Sequence, residues 1–384
     1  MPEMLSHPNG GEIVNVKKNI METATGEEIK ITSKKIKSIG SDPEKTAKAI
    51  NLIYVNDTEP GIERIKHGDK FEYSFNGEKV KDDEALIRIK HLVLPPAWTK
   101  VWICAKENGH LQATGIDVKG RKQYKYHSDW NKFRNHTKYY RLLDFGKVLP
   151  NIRLQLEKDL SLPTLGSEKV LAAVVSLMER TSIRVGNNMY EKLYGSYGLT
   201  TLKDKHVKID GNKMKFSFVG KKGVQHDIPL KNSKLSKIVK QCRDIPGKEL
   251  FQYFDENGAR HSIDSGMVNN YIKTISDGSD FTAKDFRTWA GSVQALIALK
   301  SIGCCDTATE TKRRIVEALD TVSSHLGNTR TVCKKYYVHP LILSLYETRG
   351  LEKYISELDK IEKDDGKTDL SSTEKVLIKI LESN

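Results

Sequence analysis

The hydrophobic period changes near residue 130, and no other feature limits the fold as much. Before that point apolar residues alternate. "KFEYSF" (70–75) runs into Asn76-Gly77 and returns as "EKVKD"; "KVWICA" (100–105) and "HLQATG" (110–115) join through Asn108-Gly109; "RKQYKYH" (121–127) follows a turn at Lys119-Gly120. A period of two with Asn-Gly turns predicts antiparallel hairpins. "NLIYV" (51–55) reads as a further strand, and "DEALIRIKHLV" (83–93) as a short helix stopped by the double proline of "LPPAW". Beyond residue 134 the period is helical. In "SEKVLAAVVSLMERTS" (167–182), Val170, Leu171, Val174, Val175 and Met178 share one side and Ser167 stands at the cap. One β interruption returns between Thr200 and Leu230, where Gly211-Asn212 and "GKKG" divide the chain into a three-stranded meander, and helices dominate from there to the end. The expected class is α+β. A polar, Lys-rich extension covers 1–45, a small antiparallel β domain 46–133, and a mainly helical domain carrying the meander 134–384, the two domains joining near 128–137.

Charge narrows the partners. The chain has 63 Lys plus Arg against 50 Asp plus Glu, a formal +13, which favours a polyanion and nucleic acid first. Five cysteines make an odd number with no CxxC pair, so neither a structural zinc site nor a disulfide framework is expected, and a reducing compartment fits. No N-terminal run suits a signal peptide, and no stretch approaches the ~18 apolar residues of a membrane span. The expected location is the cytoplasm, on the nucleoid if the source is bacterial.

Several chemistries lack their motifs. There is no Walker A loop, no HExxH and no Asp-x-Asp pair, which weighs against ATP-driven motors and metal-dependent nucleases. Arg, Lys and Tyr are plentiful, and that set can act on a phosphodiester with no cofactor and no metal.

Four segments carry polar residues where local structure does not ask for them. In "TSIRVGNNMY" (181–190), Arg184 follows a packed helix beside Gly186, where backbone can approach a ligand; alone, an ordinary surface arginine is the better reading. In "FVGKKGVQH" (218–226), Lys221 stands at a hairpin tip, a commonplace for lysine. In "FTAKDFRTWAGSVQAL" (281–296), Thr282 and Asp285 form a capping box, Phe286, Trp289, Ala290 and Val293 make the apolar face, and Arg287 lies off that face near the helix N-terminus, a place that favours an anion. In "SSHLGNTRTVCKKYYVHP" (323–340) a helix ends with Gly327 as C-cap, polar capping residues begin another, and two tyrosines sit among cations.

Together these segments resemble the active site of the type IB DNA topoisomerases, most closely the small poxvirus-like form also found in bacteria, over about residues 50–345. "IRVGNNMY" with "GSYGLTTLKDKHV", "FVGKKG", "AKDFRTW" and "LGNT…CKKYYVHP" match the family's motifs in order. The resemblance implies Arg184 and Arg287 as the catalytic arginines, Lys221 as general acid and Tyr337 as nucleophile. Asn328 takes the slot held by histidine in the poxvirus pattern, nine residues before Tyr337. Asparagine can donate a hydrogen bond to a phosphate oxygen but carries no charge. His325 lies one helical turn too early for that slot and reads as an exposed helix-end residue. Tyr190 and Lys284 match positions near the scissile phosphate. "LVLPPAWTKVWIC" and "GHLQATGIDVKGRKQYKYH" look like the family's β domain, whose "GRKQY" strand enters the major groove; Gln123 and Tyr124 would read bases, with Arg121 and Lys122 near phosphates.

The resemblance further implies a monomer clamping duplex DNA, with no obligate protein partner and no membrane. It would relax supercoils through a 3′-phosphotyrosyl intermediate, without ATP or metal. Tyrosine recombinases share this Arg-Lys-Arg-Tyr chemistry and a related catalytic fold, but work as tetramers and usually carry a helical domain in front. A non-catalytic basic DNA-binding protein is the remaining alternative, disfavoured by all four residue types occurring together.

Overall fold

The computed structural model describes residues 20–22, 28–30, 39, 42–68, 70–118, 120–303, 307–358 and 368–383. Most of the expected extension over 1–45 therefore lies outside the described residues, as do Lys119, Cys304 and Cys305. The chain divides into two compact units, Met1–Tyr140 and Arg141–Asn384.

In the first unit, β1 (Ile20–Glu22) and β2 (Glu28–Lys30) pair antiparallel. Helix α1 (Pro43–Ala49) starts where the Asp42 carboxylate accepts the N–H groups of Glu44 and Lys45, with Pro43 at its first position. The main sheet has six strands in the order β5-β4-β3-β6-β7-β8. These are β3 (Ile62–His67), β4 (Lys70–Phe75), β5 (Glu78–Lys79), β6 (Thr99–Ile103), β7 (Leu111–Ile116) and β8 (Lys122–Tyr126), all antiparallel. Helix α2 (Asp83–His91) buries Ile89 with Ile62, Val101, Ile103 and Ala113. "NLIYV" is not a strand: Ile53 makes one bridge to Gly109, and the strand that completes this side of the sheet is β3. "IERIKH" has a single buried residue, Ile62, so little apolar alternation marks it.

Helix α3 (Ser128–Asp159) contains residues 128–137, the expected junction, and the division between the units falls within it. The second unit is built around α4 (Ser167–Thr181), in which Val170 through Met178 are all buried. A helix apolar on every side belongs at the centre of a core. Its N-cap is Gly166 rather than Ser167, whose hydroxyl donates to Glu168 instead. Helix α5 (Asn188–Tyr194) precedes the meander β9 (Val207–Asp210), β10 (Lys213–Val219) and β11 (Gln225–Lys231), ordered β11-β10-β9. Along β10 the burial alternates strictly, Met214, Phe216 and Phe218 facing the core.

Helix α6 (Ser233–Arg243) leads to a hairpin of β12 (Gln252–Phe254) and β13 (Arg260–Ser262), a departure from the expected run of helices. The remaining helices are α7 (Ser265–Ile275), α8 (Ala283–Ile302), α9 (Ala308–Leu326), α10 (Arg330–Tyr336), α11 (Pro340–Glu347), α12 (Glu352–Leu358) and α13 (Ser372–Glu382). The C-terminal helix packs on its own unit. Buried Glu374 accepts from Trp289 Nε1 of α8 and from Arg153 of α3, both at 2.8 Å. Among the described residues no helix is long and apolar enough to cross a membrane.

Candidate active site

Two helix C-termini and a broken helix build the site. Helix α4 ends at Ser182, held in the left-handed region at φ 55°, and α9 ends at Gly327, also left-handed at φ 57°. Glycine suits such a position; serine there is strained and is held by its surroundings. Both ends present carbonyl groups that no intrahelical N–H can reach.

The two arginines take those carbonyls. Arg287 is 5% exposed, donates from Nη2 to the Leu326 carbonyl at 2.8 Å and from Nη1 to the Ser182 carbonyl. Arg184 Nη2 reaches the Gly327 carbonyl at 3.1 Å and the Asn328 side-chain oxygen at 2.5 Å. These four acceptors are neutral, and the partial negative charge of a helix C-terminus suits a cation. Burial, and then the neighbouring Arg287 charge, push the Arg184 pKa down to about 10. Arg287 lies off the apolar face of α8 near its N-terminus, as its position in the sequence predicts, yet it is buried, because its guanidinium bridges the ends of α4 and α9. The capping box does form, the Thr282 N–H donating to Asp285 at 2.8 Å.

Tyr337 sits where α10 stops. Tyr336 is the last residue of α10, and Tyr337, at φ −129° and ψ −18°, is half out of it. The next helix begins at once, His339 Nδ1 accepting the Leu341 N–H and Pro340 holding the first position. The Tyr337 ring centroid lies 5.1 Å from the Arg287 guanidinium carbon, within cation–π range. Its backbone rests on α8. A Cβ on Gly291 would come within 2.5 Å of the Tyr337 carbonyl oxygen, and Ser292 Oγ donates to that oxygen at 3.4 Å. Arg287 and Gly291, four apart, share one helix face, so the residue that meets the ring and the one that admits the backbone act as a unit. Nothing local in "WAGS" announces this; two small residues inside a helix that bears a tryptophan are the only signal.

Two buried donors in this cluster, Arg287 Nε and Asn328 Nδ2, have no hydrogen-bond partner among the described residues. Leaving such a group without an acceptor costs about 1–3 kcal/mol, and it is tolerated where a ligand supplies the acceptor.

Arg184 thus contacts Asn328 and Arg287 contacts Tyr337, and the two pairs meet at the adjacent carbonyls of Leu326 and Gly327. Lys221 begins the exposed tip of the β10–β11 hairpin, with Nζ 5.6 Å from the Tyr190 ring centroid. Lys284 is exposed in the first turn of α8. Gly186, at φ 102°, makes its close approach to the backbone of Gly198, which ties the Arg184 segment to residues 198–200. His325 is exposed, as expected, yet its Nε2 lies 3.3 Å from Ser182 Oγ.

In the first unit, the residues of β8 and its turn meet carboxylates. Asp117 pairs with Arg121 at 2.6 Å and accepts from Gln123 at 2.9 Å; Asp57 pairs with Lys122 at 2.5 Å. Tyr124 is half exposed and stacks on Tyr126 at 6.0 Å.

Residues 123–364 match the family described as eukaryotic DNA topoisomerase I, catalytic core, and residues 70–117 match the bacterial DNA topoisomerase IB N-terminal domain. A DNA topoisomerase 1B of Acanthamoeba polyphaga mimivirus is 34% identical over 298 residues, covering 75% of this chain and 88% of the relative. The vaccinia virus (strain Copenhagen) DNA topoisomerase 1B is 23% identical over 72% of this chain and 86% of its own length. DNA topoisomerase 1 beta of Arabidopsis thaliana is 25% identical over 68% of this chain but only 26% of that longer protein. With the catalytic-core match spanning well over half its length, this chain belongs to the type IB DNA topoisomerase family.

Proposed function

We propose that Tyr337 is the nucleophile with which this type IB DNA topoisomerase relaxes supercoiled duplex DNA, that Arg184, Arg287 and Asn328 hold the phosphodiester it attacks, and that Lys221 is the general acid. The observation that carries the reading is the pair of buried, unpartnered donors, Arg287 Nε and Asn328 Nδ2, in a cluster that ends on the Tyr337 ring. Both suit the non-bridging oxygens of a phosphate, and both arginines keep their charge beside it.

The chemistry follows from those groups. A tyrosine hydroxyl with an ordinary pKa of about 10 is a weak nucleophile at neutral pH. Two fixed guanidiniums favour the extra negative charge of the pentacoordinate transition state. The Tyr337 hydroxyl gives up its proton to water as its oxygen bonds to phosphorus, the bond to the 5′ oxygen breaks, and Lys221 gives that oxygen a proton. The cut strand rotates while its 3′ phosphate stays on Tyr337. The reverse attack reseals it, so the phosphodiester energy is conserved and no ATP is consumed. On the β domain, Gln123 and Tyr124 read base edges while Arg121 and Lys122 exchange their carboxylates for phosphates. Tyr190 and Lys284 support the scissile phosphate, and a single copy acts on each duplex.

Supercoiled plasmid incubated in EDTA without ATP tests the reading: supercoils of both signs should relax. A strict need for magnesium or ATP, or recombinant products from two cleavage sites, would overturn it.

A further inference from the structure

The β10–β11 hairpin carries a histidine that the mechanism leaves unused. His226 stands opposite Phe218 in the ladder, and its ring stacks on that phenyl at 4.9 Å with 18° between the planes. Two glycines close on the same ring. A Cβ on Gly220, the residue before Lys221, would lie 2.6 Å from its Cδ2, and a Cβ on Gly327, the residue before Asn328, 2.4 Å from its Cε1. Real side chains do not approach so closely, so the ring fills the space between the two glycine backbones.

Each glycine is tied to a different part of the site. Gly220 is buried and closes the hairpin tip, its N–H donating to Val224 at 2.7 Å while its carbonyl accepts from Gly223 at 3.1 Å. Gly327 gives its carbonyl to Arg184. Burial, then the charges of Arg184 and Arg287, hold the imidazole below its ordinary pKa, which makes it an uncharged spacer at neutral pH.

We propose that His226 is a positioning residue that sets the distance between Lys221 and the phosphate held by Arg184, Arg287 and Asn328. The inference rests on Lys221 being the general acid. It separates His226 from a residue that merely supports the fold, because only the protonation of the leaving group should suffer when the spacer is lost.

Single-turnover cleavage of a short duplex, with either oxygen or sulfur at the scissile 5′ position, tests this. A thiol has a pKa of about 8.5, so its thiolate leaves without a proton, whereas an alkoxide does not. Lys221→Ala should be slow on oxygen and restored on sulfur. His226→Ala should lose about 10- to 100-fold on oxygen, the cost of a misplaced group, and be restored on sulfur as well. His226→Phe, which keeps a flat ring, should stay near the parent rate on both substrates. Gly220→Ala, which displaces the ring without removing it, should repeat the His226→Ala pattern and serves if that variant does not fold. Equal losses on oxygen and sulfur for His226→Ala or Gly220→Ala would overturn the proposal, as would a His226→Phe defect as large as that of His226→Ala. If sulfur fails to restore Lys221→Ala, the assignment of the acid falls and this inference with it; restoration of Lys221→Ala alone removes only the role of His226.

Discussion

Arg121 and Lys122 of the β domain each meet a carboxylate, whereas among the described residues the hydrogen bonds of Arg184 and Arg287 go to carbonyl and amide oxygens. The physical consequences differ. A carboxylate cancels the charge it holds, and a partly exposed pair of this kind contributes at most about 1 kcal/mol, so it exchanges readily for a phosphate. A helix C-terminus orients a guanidinium while leaving it nearly a full positive charge, and burial then keeps water from screening it. The first arrangement suits a surface that must let go and rebind as DNA is sampled. The second suits a site whose charge must already be in place when the transition state forms.

If chemistry belongs to the second region alone, Tyr337→Phe should abolish covalent attachment to DNA while binding persists, and Tyr336→Phe should keep most activity. Denaturing gels of trapped complexes read this directly, and a peptide map placing the nucleotide on Tyr336 would move the nucleophile by one residue. Next in size, Arg184→Ala or Arg287→Ala should slow single-turnover cleavage by about 10² to 10³ with little change in affinity for DNA. Arg287→Lys should be nearly as slow, since one ammonium cannot span the carbonyls of Ser182 and Leu326. Affinity falling in step with rate would erase the distinction between the regions.

A smaller effect is expected from Asp117→Asn, which releases Arg121 and Gln123. DNA affinity should rise at low salt and its salt dependence steepen by about one phosphate contact, while the rate at one bound site stays the same. Gln123→Ala should likewise redistribute cleavage sites without changing that rate. The smallest expected effect is with acid. Burial raises the Asp57 pKa, but hydrogen bonds from Lys122 and Thr114 outweigh it and leave the carboxyl below 3.8. Its contribution to stability is therefore present above 3.8 and lost as pH falls through its lowered value. Amides of β8 should begin to exchange faster in that range, while the segments held by Arg184 and Arg287 through carbonyl and amide oxygens keep their protection.

Local chemistry made much of this legible. Asn-Gly turns located hairpins, Thr282 and Asp285 formed the box that starts α8, and Gly327 ended α9, because each signal is complete within a few residues. The misses share a cause of the opposite kind. "NLIYV" has strand composition but takes its conformation from packing after α1, and β3 is a strand only because β4 and β6 flank it. The β12–β13 hairpin carried a readable Asn257-Gly258 turn between strands too short to show a period. The burial of Arg287, the seat that Gly291 provides for Tyr337, and the wedge of His226 depend on elements far apart in the chain.

The two donors that the fold buries without an acceptor also bear on the whole protein's thermodynamics. Any oxyanion that satisfies Arg287 Nε and Asn328 Nδ2 binds the folded chain and not the unfolded one, so its free energy of binding adds to that of folding. The ends of α4 and α9, which meet at Arg287, become harder to separate in proportion to the occupancy of the phosphate position. Catalytic competence and resistance to unfolding are in this sense linked functions of one variable, the concentration of phosphodiester that the enzyme meets.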